Sequence, residues 1–351
     1  MISVSARAVA GPETRFAPTM IARREPGSHD VVIDIAYAGI CHSDIEHARA
    51  LRGRPYYPLV PGHEIAGTVA AVGQAVTRFA VGNAVGVGNM VWSCRACPSC
   101  QRGLEQYCEG QRVLTYNARD RDGSITQGGY SEKIVVDQDF VIRIPDGMDL
   151  ASAAPLFCAG ITMYSPLRHW NAGPGMRVGI VGLGGLGHMG VKLARALGAE
   201  VTVLELAREK RADAFRLGAT QFLDSTDPAS FASSAASFDL IISTVPGNVD
   251  LDALLSLLAA DGTLVSLAIT PRPLSCEAVS LLNNRRSLAG TRSGGISETQ
   301  EMIDFCAAHG IAAEVEVISA DDIDAAYERL LRGDVRYRFV IDTATMRREF
   351  A

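Results

Sequence analysis

The sequence lacks the features that mark membrane, secreted and nucleic-acid-binding proteins. No stretch of it reaches the roughly 18 consecutive apolar residues that a membrane-spanning helix needs. Its start has no basic segment followed by an apolar one, as a secretory signal would. Lys and Arg number 33 against 39 Asp and Glu, the net charge is -6 and no long basic run is present, which argues against nucleic acid and anionic membranes as partners. We therefore expect a cytoplasmic protein whose ligands are small molecules.

Cysteine is also scarce, with eight residues in a chain of 351, which is too few for a disulfide-stabilised scaffold. Four of them have the spacing C-x2-C-x2-C-x7-C, at Cys94, Cys97, Cys100 and Cys108. Four thiolates this close in sequence can surround one zinc ion and leave no open position, which predicts a structural site. An iron–sulfur cluster is the alternative that the same spacing leaves open.

The apolar segments predict two domains, as the length of 351 residues also does. In the first part of the chain, short β-type segments separated by Gly, Pro and Asn indicate a compact antiparallel barrel. From Met176, strand segments alternate with helical ones, which indicates a doubly wound parallel sheet and an α/β fold. After Gly290 the pattern changes again. We therefore expect a nucleotide-binding domain inserted into a barrel-like domain.

A glycine-rich segment lies between the apolar strand VGIV and an amphipathic helix. It has the pattern GxGxxG and comprises Gly182, Leu183, Gly184, Gly185, Leu186 and Gly187. Glycine permits a tight turn and lets the backbone approach a pyrophosphate at the helix N-terminus. Glu205, at the end of the next strand, favours NAD(H), because a carboxylate binds ribose hydroxyls and repels a 2′-phosphate. Arg208 could instead contact a 2′-phosphate, so NADP(H) stays as the alternative.

A second metal site would have to combine residues that are distant in sequence. The candidates are Cys41, His63, Glu64 and Cys158. Two thiolates and one imidazole would leave a fourth position for water or a substrate oxygen, as a catalytic zinc requires. The spacing of these residues does not by itself establish the site, because such residues are more often unrelated.

Several motifs, in order along nearly the whole chain, resemble those of the zinc-dependent medium-chain alcohol dehydrogenases. The resemblance is to the cinnamyl alcohol dehydrogenase-like branch of plants and bacteria. The motifs are CHSD, PGHE, the four-cysteine loop, TYN, TQGGYSEKIVVD, PLFCAGITMYSPL, VGLGGLGHMGVKLA, ETQEMIDF and VRYRFVID. The resemblance implies a GroES-like, β-rich catalytic domain split around a Rossmann domain. The catalytic domain would comprise residues 1–153 and 294–351, and the Rossmann domain residues 154–293.

The resemblance also implies roles for individual residues and two zinc ions per chain. The three ligands of the catalytic zinc would be Cys41, His63 and Cys158. Glu64 would be an alternate ligand, and Asp44 would orient His63. Ser43 would hydrogen-bond the substrate oxygen and pass its proton onward. The four clustered cysteines would bind the structural zinc.

The chain departs from the family at the end of the proton relay. In the usual CHSDLH motif the last His closes the relay, whereas this chain has Glu46 there and His47 next to it. A carboxylate that ionises near pH 4 is a poorer proton acceptor at neutral pH than an imidazole is. Either residue could end the relay, or both could face water. Relatives that lack the relay include enzymes that add hydride to an activated C=C or iminium bond.

We therefore expect a zinc- and nicotinamide-dependent enzyme that interconverts a primary alcohol, aromatic or allylic, and its aldehyde by hydride transfer. One alternative is a reductase of an activated C=C or iminium bond on the same scaffold. A second is a catalytically silent dinucleotide-binding protein, although all three catalytic ligands are present. The resemblance further implies a homodimer formed through edge strands near residues 286 to 295.

Overall fold

The computed structural model describes residues 1–247, 249–270 and 272–349. Its strands are β1 (Ile2–Ala8), β2 (Ala17–Arg23), β3 (Asp30–Gly39), β4 (Ile65–Val72), β5 (Ala84–Val87), β6 (Met90–Trp92), β7 (Val113–Leu114), β8 (Lys133–Asp137), β9 (Ile142–Arg143), β10 (Arg177–Val181), β11 (Glu200–Glu205), β12 (Gln221–Asp224), β13 (Phe238–Ser243), β14 (Leu258–Ser266), β15 (Ser287–Gly290), β16 (Val315–Ser319) and β17 (Arg338–Asp342).

The α-helices are α1 (His42–Ala48), α2 (Pro98–Gln101), α3 (Leu150–Ala153), α4 (Ala159–His169), α5 (Gly187–Ala196), α6 (Arg211–Leu217), α7 (Pro228–Ser233), α8 (Leu251–Ser256), α9 (Ala278–Leu282), α10 (Ile296–Ala308) and α11 (Ile323–Leu331). Among the described residues, no single helix has the length and apolarity to cross a membrane. One bent pair, formed by the consecutive helical segments at 150–157 and 159–169, passes that test by length and composition only.

The first compact unit comprises Met1–Ile161 and Gly294–Ala351. Its main sheet has the order β16-β17-β3-β4-β5-β9, with β8 also paired to β3. Neighbours pair antiparallel except β16 and β17, which are parallel. Alternate residues of β3, such as Val31, Ile33 and Ile35, are buried in an apolar core with β4, β5 and β8. The sheet therefore carries the β-rich unit that the sequence predicts.

The second compact unit comprises Thr162–Ser293. Its six strands are all parallel and have the order β12-β11-β10-β13-β14-β15. Numbered within the unit, this is 3-2-1-4-5-6, the order of a dinucleotide-binding sheet. Both halves of the predicted fold class, the GroES-like domain and the Rossmann domain, are thus confirmed.

The first boundary between the units lies within α4, at Ile161 and Thr162, and the second lies at Ser293 and Gly294. The motif resemblance implies boundaries at 153/154 and 293/294, and these positions stay a prediction.

Candidate active site and metal centres

The four clustered cysteines converge on one point in the first unit. Their sulfur atoms all lie within 4.8 Å of one another, and the Sγ atoms of Cys94 and Cys100 are 3.9 Å apart. Tetrahedral zinc with Zn–S bonds of about 2.3 Å would place two sulfur atoms about 3.8 Å apart. The cluster therefore fits a closed, structural zinc site.

Backbone amides around this cluster stabilise thiolates. The N–H of Cys97 points at Cys94 Sγ (3.3 Å) and that of Glu109 at Cys97 Sγ (3.4 Å). The backbone N–H groups of Ala96 and Cys97 lower the pKa of Cys94 to about 6. Gly110 makes room for the cluster, because a Cβ there would lie 3.0 Å from Cys94 Cβ. The loop thus favours the thiolate form of Cys94, whereas burial raises the pKa of Cys100 to about 12.

The second predicted cluster also forms within the first unit, from residues that are far apart in sequence. The Sγ atoms of Cys41 and Cys158 are 3.9 Å apart, and His63 Nε2 lies 3.2 Å from Cys158 Sγ. Together with an oxygen of Glu64, these donor atoms lie within 4.8 Å of one another. The Cys158 thiol hydrogen-bonds the Cys41 thiolate, which lowers the pKa of Cys41 and raises that of Cys158. Two sulfurs and one imidazole fit a zinc site that keeps an open position.

Asp44 orients the imidazole of this cluster. Its Oδ1 lies 3.1 Å from His63 Nδ1, so that Nδ1 donates the hydrogen bond and Nε2 faces the sulfur atoms. Asp44 is fully buried. Burial opposes a charged imidazole, but the Asp44 and Cys41 charges outweigh it and raise the pKa of His63. The hydrogen bond to Asp44 determines that Nδ1 keeps its proton when Nε2 gives up its own to bind a metal.

A buried ion pair lies beside the cluster. The Arg338 guanidinium, on β17, pairs with Glu64 Oε1, and both side chains are almost fully buried. Burial raises the pKa of Glu64 to about 7, although Arg338 opposes this shift. Among the described residues, Glu64 Oε2 has no hydrogen-bond partner. A buried carboxylate oxygen without a partner, within reach of two sulfurs, fits an alternate metal ligand.

Helix α1 carries the other predicted catalytic residues. Ser43 lies half-buried in its first turn. Glu46, at the position of the family's relay His, forms an ion pair with Arg52 at 2.8 Å. His47 directs its Nδ1 to the Ser43 carbonyl (2.9 Å) and to the Tyr116 hydroxyl (3.0 Å). The two candidates for the end of the relay therefore have different partners.

The glycine-rich segment forms the turn between β10 and α5 in the second unit. Gly182 has φ of +88°, which favours glycine. A Cβ at Gly187 would lie 1.9 Å from the Gly182 carbonyl oxygen, whereas one at Gly184 would meet no atom within 4 Å. Gly185 and Leu186 complete the turn. The close packing at Gly187 and the open space at Gly184 fit a pyrophosphate bound at the start of α5.

The Glu205 carboxylate holds this turn. Its Oε2 accepts from the N–H of Leu183 (2.8 Å) and from Lys210 Nζ (3.1 Å), and Oε1 accepts from the N–H of Leu206 (2.8 Å). Burial opposes ionisation, but these donors outweigh it and lower the pKa of Glu205. Arg208 is exposed and pairs with Asp224. The carboxylate therefore stays charged next to the predicted ribose position.

The two sites define a nicotinamide-dependent dehydrogenase with a GroES-like domain, and comparisons with known proteins agree. The alcohol dehydrogenase GroES-like domain matches residues 27–146, and the zinc-binding dehydrogenase domain matches residues 185–308. An NADP-dependent alcohol dehydrogenase C of Mycolicibacterium smegmatis is 56% identical over 99% of this chain and 100% of its own. An aldehyde reductase of Escherichia coli is 52% identical over 94% of this chain and 95% of its own.

The solved structure of a cinnamyl alcohol dehydrogenase from Sorghum bicolor is similar over 98% of both chains, with a TM-score of 0.94 and 43% identity. The chain belongs to the zinc-dependent medium-chain alcohol dehydrogenases, in the cinnamyl alcohol dehydrogenase-like branch, and the resemblance seen in its motifs is confirmed. It is a zinc-type, nicotinamide-dependent alcohol dehydrogenase or aldehyde reductase.

Sequence reasoning did not single out three residues that surround the sites: Arg338, Lys210 and Tyr116. Arg338 lies 274 residues after Glu64 along the chain, so no local pattern joins them. Lys210 pairs with a residue only five positions away, and that spacing could have suggested the contact. Tyr116 belongs to the TYN motif, but the sequence does not show that it reaches His47 on α1.

The Glu64–Arg338 pair should be important for stability. In Arg338→Gln the Glu64 carboxylate would stay buried without its cation, and breaking such a pair costs about 3–5 kcal/mol. We expect a clear fall in the midpoint of thermal unfolding, measured with zinc in excess. The matched control is Arg285→Gln, since Arg285 pairs with Asp261 at the surface and its loss should leave the midpoint unchanged. Equal midpoints for the two variants would contradict the prediction.

Proposed function

We propose that the protein catalyses the reversible oxidation of a primary alcohol, aromatic or allylic, to its aldehyde. The observation that carries this proposal is the convergence of Cys41, His63 and Cys158 on one point, with a buried carboxylate behind the imidazole. The dinucleotide-binding turn of the second unit supplies the place for the nicotinamide coenzyme. Together these sites provide the two groups that alcohol oxidation needs.

We assign the ligand roles as follows. Cys41, His63 and Cys158 hold the catalytic zinc, and Glu64 is its alternate ligand. The structural zinc is held by Cys94, Cys97, Cys100 and Cys108. Thiolate ligands persist in a reducing compartment, which supports a cytoplasmic location.

When bound, zinc supplies a Lewis acid for the substrate oxygen, and the nicotinamide accepts or donates hydride. The protein positions the substrate and moves a proton. Asp44 keeps the His63 Nδ1–H in place, so that Nε2 stays available as a ligand. Ser43, in the first turn of α1, hydrogen-bonds the substrate oxygen and passes its proton onward. Since Arg52 neutralises Glu46, His47 is the better candidate to accept that proton.

Two relatives support the substrate class. The E. coli protein at 52% identity is named an aldehyde reductase, and the sorghum protein at 43% identity is named a cinnamyl alcohol dehydrogenase.

One observation favours a second candidate, reduction of an activated C=C or iminium bond. The family's relay His is replaced by Glu46, which is bound in an ion pair, and that chemistry needs less proton delivery to oxygen.

Incubation of the zinc-loaded protein with cinnamaldehyde and NADH or NADPH separates these candidates. We expect cinnamyl alcohol as the product, because the metal cluster is built to bind a carbonyl oxygen. The products are separated by chromatography. Cys158→Ala should abolish turnover and leave one zinc per chain. The control is Cys276→Ala, because Cys276 is half-buried and lies outside both clusters; it should change neither turnover nor zinc content. Hydrocinnamaldehyde as the product would reject carbonyl reduction in favour of the second candidate.

We further propose that the enzyme prefers NAD(H). The charged Glu205 carboxylate ends β11 and would repel a 2′-phosphate. Lys210 is already paired with this carboxylate, and Leu206 and Ala207 bring neither a hydroxyl nor a charge. The M. smegmatis relative at 56% identity is named NADP-dependent, so the proposed preference of this chain differs from that of the relative.

Removing the charge of Glu205 should reduce the preference for NAD(H). Glu205→Gln keeps a hydrogen-bond acceptor for Leu183 but frees Lys210 to meet a phosphate. We expect the ratio of kcat/KM for NADH to that for NADPH to fall about tenfold or more, which corresponds to about 1.4 kcal/mol. The control variant Glu209→Gln, at an exposed position near Glu205, should leave this ratio unchanged. A wild-type enzyme that is faster with NADPH would reject the proposed preference.

We also propose that the protein is a homodimer that pairs through β15. This strand lies at the edge of the six-stranded sheet, and its outer backbone groups form a template for another strand. Apolar side chains are exposed on and near it, including Leu288, Leu282 and Val279. Pairing of two β15 strands about a two-fold axis would cover them.

A charge on the edge strand should oppose this association. We expect the wild-type protein at micromolar concentration to have the mass of a dimer by light scattering, and Leu288→Lys to have that of a monomer. Leu331→Lys places the same charge at an exposed leucine of α11, in the first unit, and should remain dimeric. A monomeric wild-type protein would reject the proposal.

A further inference from the structure

The Asp44 carboxylate hydrogen-bonds to the two segments that carry Cys41 and His63, two of the proposed zinc ligands. Its Oδ2 accepts from the N–H of Cys41 (2.8 Å), and its Oδ1 accepts from the N–H of Gly62 (3.2 Å) and from His63 Nδ1 (3.1 Å). A buried carboxylate has about four acceptor sites, and each needs a donor. The donor that completes the set for Oδ2 comes from a third part of the chain.

That donor is the hydroxyl of Tyr130, which lies 3.4 Å from Asp44 Oδ2. Tyr327, on α11, in turn donates its hydroxyl to Tyr130 at 3.3 Å. Both tyrosines are fully buried, and burial together with the Asp44 charge raises the pKa of each well above its ordinary value. They therefore remain protonated and form a chain of donors directed at Asp44.

The backbone around Tyr130 is bound to the segment that precedes His63. The N–H of Gly129 donates to the Gly62 carbonyl (2.9 Å), and the N–H of Tyr130 donates to the Pro61 carbonyl (2.9 Å). Gly62 has φ of +105°, and a Cβ there would lie 2.7 Å from Tyr130 Cδ1. The ring of Tyr130 therefore lies directly against the backbone that carries the ligand.

A buried arginine fixes the same loop from its other side. The Arg23 guanidinium donates to the carbonyls of Gln127 (2.6 Å), Gly128 (2.8 Å) and Lys133 (2.9 Å). It also donates to the Ser131 hydroxyl at 2.8 Å. Burial lowers the pKa of Arg23 to about 10. Tyr130 thus sits on a loop that is held on both sides.

We propose that Tyr130, supported by Tyr327, is a positioning residue of the active site, acting through Asp44 to fix the orientation of His63. This inference rests on the proposed role of His63 as a ligand of the catalytic zinc. Partners behind a metal ligand typically change metal affinity or activity by about 10–100-fold when they are removed. Tyr130 is one step further from the metal, so we expect an effect near the lower end of that range.

The test measures zinc affinity of the full-length protein by competition with a chromophoric chelator. Tyr130→Phe removes the hydroxyl and keeps the ring, and we expect zinc at the catalytic site to bind about tenfold more weakly. Tyr327→Phe should weaken it in the same direction but less. The control is Tyr164→Phe, because Tyr164 is an equally buried tyrosine of the second unit. This variant should bind zinc as tightly as the wild type does. The four-cysteine site provides an internal reference, because its affinity should not change in any variant.

Two further measurements separate a positioning role of Tyr130 from a purely structural one: the absorption spectrum of bound Co²⁺, and the energetic coupling of Tyr130 to Asp44. Co²⁺ in place of the catalytic zinc should show shifted visible absorption bands in Tyr130→Phe and unshifted bands in Tyr164→Phe. In the Asp44→Asn background, the Tyr130→Phe change should have a smaller effect on metal affinity than in the wild type. If Tyr130→Phe left the zinc affinity and the Co²⁺ bands unchanged, or if its effect on metal affinity were additive with that of Asp44→Asn, this inference would be overturned. The proposed function would be unaffected. A wild-type protein that binds no metal at this site would overturn the proposed function as well.

Discussion

The carboxylate of Asp44 is the interaction on which the first unit's active site depends. It accepts a hydrogen bond from the N–H of Cys41, the N-cap residue of α1, and one from the Nδ1–H of His63, which precedes β4. One buried group therefore starts a helix and orients the imidazole of a proposed metal ligand. A buried charge is stable only when its acceptor sites are occupied, so the positions of the helix, the His63 segment and the Tyr130 loop are set together.

A second buried charge joins the beginning of the chain to its end. Glu64 follows His63 directly, and its counter-ion Arg338 lies on β17, close to the C-terminus. Gly39, on β3, leaves the space that Glu64 occupies, because a Cβ there would lie 2.1 Å from Glu64 Oε2. The ion pair therefore joins the two sequence segments of the first unit next to the candidate metal cluster.

The carboxylates of Glu46 and Glu205 both bind to groups of their own unit. Glu46 replaces the relay His and pairs with Arg52, while Glu205 holds the glycine-rich turn and Lys210. Each can thus affect function without contacting a substrate. In the proposed mechanism, Glu46 leaves the relay without the family's His, and Glu205 brings a negative charge close to the coenzyme ribose.

The sequence by itself determined the features that are encoded locally. Four cysteines within fifteen residues, and a glycine-rich turn between a strand and a helix, require short-range geometry that spacing and residue type already specify. The same holds for the parallel sheet, because strand and helix segments alternate. The motif resemblance implied that Cys41, His63 and Cys158 form one site, but only the tertiary structure paired Glu64 with Arg338 and placed Tyr130 behind Asp44. These contacts join residues separated by up to 274 positions, and such proximity arises from sheet order and burial, which no local pattern records.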